Sequence, residues 1–381
     1  MRRTSGRRIS EPINPDWREP RRATRIHLLM LGRKSVGVLT FHKCINYGSY
    51  WQARCMVDGL EARGFHGTLL DHDCERVTLA EYRCALQPTL PVPTGRAHFG
   101  AYATKVRNFL DAFRHLPRTE RFGLDDPGSA QPFETVVVGS DEVWNLRHPW
   151  YGGKPIFTGV GLPAERLVSY AASFGNHDAA WGIPDHYAER LKRFDHLSVR
   201  DENSRCAVAA STGREPAMVL DPVLQFGRPA PVGSGGYLLV YGHSFPDWYA
   251  AAVRAAADRH GLRVLSFGYR NDWADEQRVD AGPMDFPAVV AGAAGVATNF
   301  FHGCVFALLH DKPFVTTATE YRRNKLNDLT ADLAAARHLV DERIGHDEFD
   351  ALLLSPLDRR IGERIAERRQ EGHDYLDAAL G

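Results

Sequence analysis

Short runs of β-branched and apolar residues alternate with helix-like patterns along almost the whole chain, and this alternation constrains the fold more than any other feature of the sequence. Strands separated by helices pair side by side in parallel, with each crossover covering one face of the sheet, so the expected class is α/β built from βαβ units. The first run is Val36-Gly37-Val38-Leu39-Thr40-Phe41. His42 to Gly48 leads from it into a helix expected over 49–63, with Ser49 as its N-cap and Gly64 as its stop, and a second strand follows at 68–71. Further strands are expected at 135–138, 167–172, 197–199 and 218–220, with a helix at 102–116 between Pro-rich loops.

Residues 227–236 (GRPAPVGSGG) break both periodicities, and the alternation then restarts. Strands at 237–240, 263–267, 295–298 and 313–317 are expected, with helices at 247–260, 287–294, 303–310 and 323–333. A chain of 381 residues is long enough for two cores. The expected division is a flexible basic arm over 1–34, an N-terminal Rossmann-like domain over 35–228, a linker over 229–236, a C-terminal Rossmann-like domain over 237–345 and C-terminal helices over 346–381 that pack back across the domains. Met30, just before the first strand, is an alternative start; an intact mass on protein from the native host decides it. Two such halves place a ligand cleft between them, at the carboxyl ends of the strands.

The 47 basic and 47 acidic side chains cancel, so the chain has no long-range field to draw in polyanions, which argues against a nucleic-acid partner. No apolar run reaches the length of a bilayer crossing, and the opening residues show no secretory pattern, so a cytoplasmic location is expected. The six cysteines form no C-x-x-C pair, and no Cys/His cluster or H-E-x-x-H has ligand spacing, so reduced thiols and no metal are expected.

Four polar clusters fall at the ends of expected strands. In the first, Asn46-Tyr47-Gly48 opens a helix whose free amides and dipole favour an anion; a tight turn is the alternative. In the second, Ser140 and Asp141 present a hydroxyl and a carboxylate suited to orienting or deprotonating a hydroxyl, and Trp144 offers a flat face for a sugar. The alternative makes Asp141 a cap and Trp144 a core residue. In the third, Arg200 clamps a carboxylate or phosphate, or else pairs with its neighbours Asp201 or Glu202. In the fourth, Asn299-Phe300-Phe301-His302-Gly303 sets an imidazole at the mouth of an apolar helix, as a catalytic or a structural histidine. Lys325 opens the next helix as a second cation or a solvated charge.

These stretches resemble the polysaccharide pyruvyl transferase family. Val38 to His42, Asn46-Tyr47-Gly48 with Gln52, Val138 to Asn145, Ser169 to Gly175, Ser198-Val199-Arg200, Leu220-Asp221-Pro222 and Phe301-His302-Gly303 through Lys312-Pro313-Phe314 match it in order, over roughly 36–330. The resemblance implies two Rossmann-like domains in a glycosyltransferase-B-like arrangement with an interdomain cleft. It implies transfer of pyruvate from phosphoenolpyruvate to a hydroxyl pair of a sugar or lipid-linked glycan, forming a cyclic ketal without a cofactor; contact with a membrane surface would come only through such an acceptor. His302 takes the position of the family's proton donor, Asp141 orients the acceptor hydroxyl, and Arg200, Lys325 and the two helix starts hold the donor anion. Asn46, Tyr47, Gly48, Ser140, Trp144, Ser173 and Asn299 complete the expected substrate-binding set. His302 and Arg200 are thereby expected to converge from opposite domains on one anion pocket. The family commonly carries Arg-Leu-His-Gly where this chain has Phe300-Phe301-His302-Gly303, so that arginine is absent here. Two other functions share the fold: a glycosyltransferase-like enzyme using a nucleotide sugar, and a non-catalytic sugar- or nucleotide-binding protein.

Overall fold

The alternation resolves into two parallel sheets, in a computed structural model that describes residues 34–381 apart from Val232 and Ser234. The expected arm and the alternative start at Met30 lie outside the described residues, Lys34 excepted.

In the first half, β1 (Ser35–Leu39) leads through α1 (Tyr47–Ala62) to β2 (His66–Leu69). The short β3 (His72–Asp73), α2 (Glu75–Leu86), α3 (Phe99–Phe113) and β4 (Phe122–Gly123) precede β5 (Phe133–Val138) and β6 (Ala164–Ser169). The sheet order is β2-β1-β5-β6, all parallel, with Val38 opposite both Leu69 and Val137. β5, Phe-Glu-Thr-Val-Val-Val, is buried at every position but one, as a strand covered on both faces should be. Then come α4 (Asp185–Leu191), β7 (Ser198–Val199), α5 (Glu202–Thr212), β8 (Ala217–Met218) and α6 (Pro222–Phe226), with β7 and β8 forming a small parallel pair. Single bridges from Val168 to His196 and from Ala172 to Val199 join that pair to the sheet edge.

The second half repeats the scheme with β9 (Tyr237–Tyr241), α7 (Asp247–His260), β10 (Arg263–Phe267), β11 (Glu276–Arg278), α8 (Phe286–Gly292), β12 (Gly295–Thr298), α9 (Phe301–Leu309), β13 (Phe314–Thr316) and α10 (Arg323–Asp332). Its order is β11-β10-β9-β12-β13, again parallel throughout. α11 (His346–Leu354) packs on this sheet, whereas α12 (Arg359–Leu380) returns to the first half. There Tyr375 donates to the Ser169 carbonyl at 2.6 Å, and the Ala379 carbonyl accepts from Arg166 at 2.9 Å.

One apolar cluster runs through both halves, from Val38, Met56 and Phe109 to Leu239, Phe267 and Phe306. The cleft expected between the halves is therefore packed shut on this side, at Tyr47. Differences from the sequence reading are local. α2 was not expected; among its residues only Val77 and Glu81 are buried, so it presents little apolar surface to the core. α1 starts two residues before Ser49: Asn46 is the N-cap, its side chain accepting from the amides of Gly48 and Ser49 at 2.9 and 3.2 Å.

Candidate functional site

In each sheet the chain runs from a central strand to one side and then crosses to the other, so the carboxyl ends of β1 and β5, and of β9 and β12, are topological switch points. Three of the four expected polar segments sit at these ends: 40–49 after β1, 139–145 after β5 and 299–302 after β12; the fourth, at Arg200, follows β7, and 242–243, not singled out in the sequence, follows β9. The two halves touch there. A Cβ placed on Gly48 would lie 2.0 Å from His302 Nδ1, so only glycine lets the start of α1 meet the start of α9 this closely.

His302 is buried, and its Nε2 has no hydrogen-bond partner among the described residues. Asp221 Oδ2 lies 3.4 Å from that nitrogen. The same carboxylate accepts from Arg200 at 2.8 Å, stands 3.3 Å from the Ser140 hydroxyl, and through Oδ1 accepts from the Val223 amide at 3.0 Å. Arg200 reaches Asp141 at 3.4 Å with its other terminal nitrogen and lays its guanidinium 4.4 Å from the centre of the Phe301 ring. Asp141 closes the network by accepting from the Ser49 hydroxyl at 2.8 Å. Asp141 also sits at φ 70°, a conformation unusual for a side-chain-bearing residue, and Gly139 before it holds φ 114° with its Cα against the Tyr170 carbonyl.

The electrostatics follow from burial and pairing. Burial raises the Asp221 carboxyl, but His302, Arg200 and the Val223 amide overcome this and bring it down to about 2. Glu142 behaves alike: burial opposes ionisation, and Lys325, then Arg200 and Asn145, hold it at about 2. The Lys325–Glu142 ion pair tethers α10 of the second half to the loop after β5 of the first. Beside the loop after β1 lies a cavity of about 260 Å³, lined in part by Lys43, His72, Glu81, Tyr82, Arg118 and Tyr151. Burial pushes the Glu81 carboxyl up to about 7.

Of the residues singled out in the sequence, Gly48, Ser140, Asp141, Arg200 and His302 come together, and Lys325 joins them through Glu142. The others are placed differently. Trp144 is fully buried and donates to the Phe157 carbonyl at 2.9 Å, so its face is packed in the core and closed to a sugar. Tyr47 is likewise buried, among Phe109, Tyr241, Phe267 and Phe286, with its hydroxyl on the Ala281 carbonyl. Ser173 accepts from the Gly175 amide, and Asn299 donates to the His243 carbonyl; both are inaccessible. Asn46 is spent as the cap of α1. His302 and Arg200 do converge, but on Asp221, a carboxylate of the chain itself. The anion-binding face of Arg200 is thus already occupied, and Lys325 is matched by Glu142. Asp201, the neighbour offered as the partner of Arg200, instead caps α5.

Sequence reading missed Asp221 as a site residue, although Asp-Pro after a strand marks a helix start. It also missed Ser49 as a donor to Asp141, having assigned its hydroxyl to the cap. Replacing Gly48 by alanine is expected to displace the His302 ring and lower turnover at least about tenfold, since small misplacements of a reacting group are expensive. Full activity in that variant, with the fold intact by circular dichroism, would show that the Gly48–His302 contact does not matter.

Two Rossmann-like lobes with facing switch points, and a carboxylate–imidazole–guanidinium cluster between them, define an α/β fold of the glycosyltransferase-B-like class. Residues 46–321 match the family described as polysaccharide pyruvyl transferase, and the chain belongs to that family. No curated protein sequence matches it. Among solved structures, the glycosyltransferase SnogD from Streptomyces nogalater is 12% identical with a TM-score of 0.44, covering 91% of this chain and 98% of that one. The UDP-GlcNAc 2-epimerase from Neisseria meningitidis, bound to UDP-GlcNAc, is 9% identical with a TM-score of 0.41, covering 91% and 94%. Likenesses this loose carry no weight for function. Among the described residues no helix is long and apolar enough to cross a membrane, and no group of three or more His, Cys, Asp or Glu side chains is arranged to hold a metal ion. The six cysteines are free thiols.

Proposed function

We propose that this protein transfers a pyruvyl group from phosphoenolpyruvate to two hydroxyls of a sugar, on a glycan or a glycosylated natural product, releasing phosphate and leaving a cyclic ketal. The observation that carries the reading is the placement of His302: a buried imidazole at a helix start, whose Nε2 makes no hydrogen bond among the described residues and faces the ionised Asp221 carboxylate at 3.4 Å. Protonated, that imidazole is suited to deliver a proton to the methylene carbon of the enol ester, which makes the carbon bearing the phosphate electrophilic. The first sugar hydroxyl then bonds to that carbon and gives up its proton. Loss of phosphate and attack by the second hydroxyl complete the ketal. Of the two hydroxyl protons, one is retained in the new methyl group by way of His302, and the other leaves with phosphate.

We assign to Asp141 the part of accepting a proton from an incoming hydroxyl; its carboxylate accepts a hydrogen bond from the Ser49 hydroxyl. Asp221 lies beside the imidazole and orients it, and Arg200 helps keep Asp221 ionised while Phe301 covers the guanidinium. The cavity beside Lys43 and Tyr151, with aromatic and charged walls, is the place we assign to the acceptor sugar. The test incubates the protein with phosphoenolpyruvate and a panel of hexopyranosides bearing free 4,6-diols. The expected result is phosphate release that requires an acceptor, with a product heavier by the pyruvyl ketal. Nucleotide release from a sugar nucleotide, without any from phosphoenolpyruvate, would replace this reading with glycosyl transfer.

A further inference from the structure

Around the reaction site each buried cation is matched: Arg200 by Asp221 and Asp141, Lys325 by Glu142. Two cations nearby are not. Lys105, on α3 of the first half, is 4% exposed, and its ammonium donates to one carbonyl, that of Gly268, at 2.7 Å. Arg322, just before α10, donates to the Thr319 hydroxyl at 3.3 Å. Neither has a carboxylate within ion-pair distance among the described residues. Both lie instead on aromatic faces: Lys105 is 4.4 Å from the centre of the Tyr269 ring, and Arg322 is 4.4 Å from that of Phe300.

These rings form one corner at the carboxyl ends of β9, β10 and β12. Tyr269 and Phe300 stand edge to face with centres 5.0 Å apart, and His243 is 5.3 Å from each. Burial pushes Lys105 down to about 7, and burial together with repulsion from Arg322 and Lys105 pushes His243 down to about 4. The groups facing Arg322 are Tyr241, Tyr269, Tyr321 and Glu142, and the one carboxylate among them is already held by Lys325. Lys105 is a buried amine and Arg322 a half-buried cation, neither with a counter-ion among the described residues, so an anion from outside the chain would stabilise this switch point.

We propose that Lys105 and Arg322 form an anion-binding position at the carboxyl ends of the second sheet, taking a phosphate or diphosphate group of a substrate; this rests on the pyruvyl transfer proposed above. The phosphate of phosphoenolpyruvate and the diphosphate of a nucleotide- or lipid-linked acceptor share this chemistry. The position answers the question left by Arg200 and Lys325, whose charges are already neutralised.

The test is calorimetric titration of the full chain, native and with Arg322→Met or Lys105→Met, using phosphoenolpyruvate in one arm and UDP in the other. Arg322 is only partly buried, so its variant keeps the test open should Lys105→Met fail to fold. Binding of one ligand is expected to weaken at least about tenfold in both variants, the loss of a charge-assisted pair. Loss with phosphoenolpyruvate assigns the position to the donor, and loss with UDP assigns it to the acceptor carrier. The His243 imidazole, followed by NMR in the native protein, is expected to titrate at higher pH once the ligand is bound, because the anion offsets the two cations. If the native protein turns over phosphoenolpyruvate while both variants bind both ligands within about twofold of native, the position is refuted and pyruvyl transfer stands. If Arg322 governs binding but no turnover occurs, the position stands and pyruvyl transfer falls.

Discussion

Replacing His302 with alanine is expected to lower turnover by about a hundredfold or more, the usual scale for a positioned general acid. Donor affinity should change far less, because the imidazole contributes to protonation in the transition state more than to binding of the ground state. Its neighbours make the expectation specific. The ring is fixed between the Gly48 backbone and Phe301, its centre 5.2 Å from that of the phenyl ring, and Nε2 faces the Asp221 carboxylate. His302→Gln keeps a polar side chain of similar length but supplies no proton, so it should be as inactive as the alanine variant. Near-normal turnover in either, measured as acceptor-dependent phosphate release, would remove His302 from the chemistry.

The second large effect is on stability. Asp221→Ala is expected to destabilise the fold by about 3–5 kcal/mol, because it strands the buried Arg200 guanidinium without its closest counter-charge. A second substitution, Arg200→Met, should restore much of that loss, since an apolar side chain of similar length fills the space without a charge. The pH dependence has a definite sign. With its folded-state value brought from 3.8 to about 2, Asp221 contributes stability that is present above the unfolded value and is lost as pH falls through the folded one. Urea denaturation between pH 5 and pH 2 should therefore show a steeper loss for the native chain than for the double variant. Equal slopes, or an Asp221→Ala variant as stable as native, would mean that the Arg200–Asp221 pair contributes little.

The sequence carried the architecture well because strand-and-helix alternation is a local signal repeated many times. The Gly/Pro-rich stretch at 227–236 lies between α6 and β9, and each expected strand has a counterpart within a few residues. The site was legible at the level of segments, since strand ends and helix starts mark themselves by Gly, Asn, Asp and Ser. Which side chains face the seam was not legible. Trp144 and Tyr47 look like ligand-stacking aromatics in sequence, but whether an aromatic at a strand end points inward depends on the opposing layer, which supplies Phe157 to one and Phe267 and Phe286 to the other. Arg200 was expected to pair with sequence neighbours or with a substrate, whereas its partner Asp221 lies 21 positions away and is brought beside it by the β7–β8 pairing. Phe300 in place of an arginine raised the question of where a replacement cation comes from. Arg322, over the Phe300 ring, is 22 positions further on, and no spacing rule links them.

The central claim is tested most directly by a crystal structure of the protein soaked with phosphoenolpyruvate. The account predicts the methylene carbon about 3–3.5 Å from an imidazole nitrogen of His302, with the phosphate directed toward Arg322 and Lys105. A donor bound with its methylene turned away from His302, or bound remote from the seam between the two sheets, would contradict it.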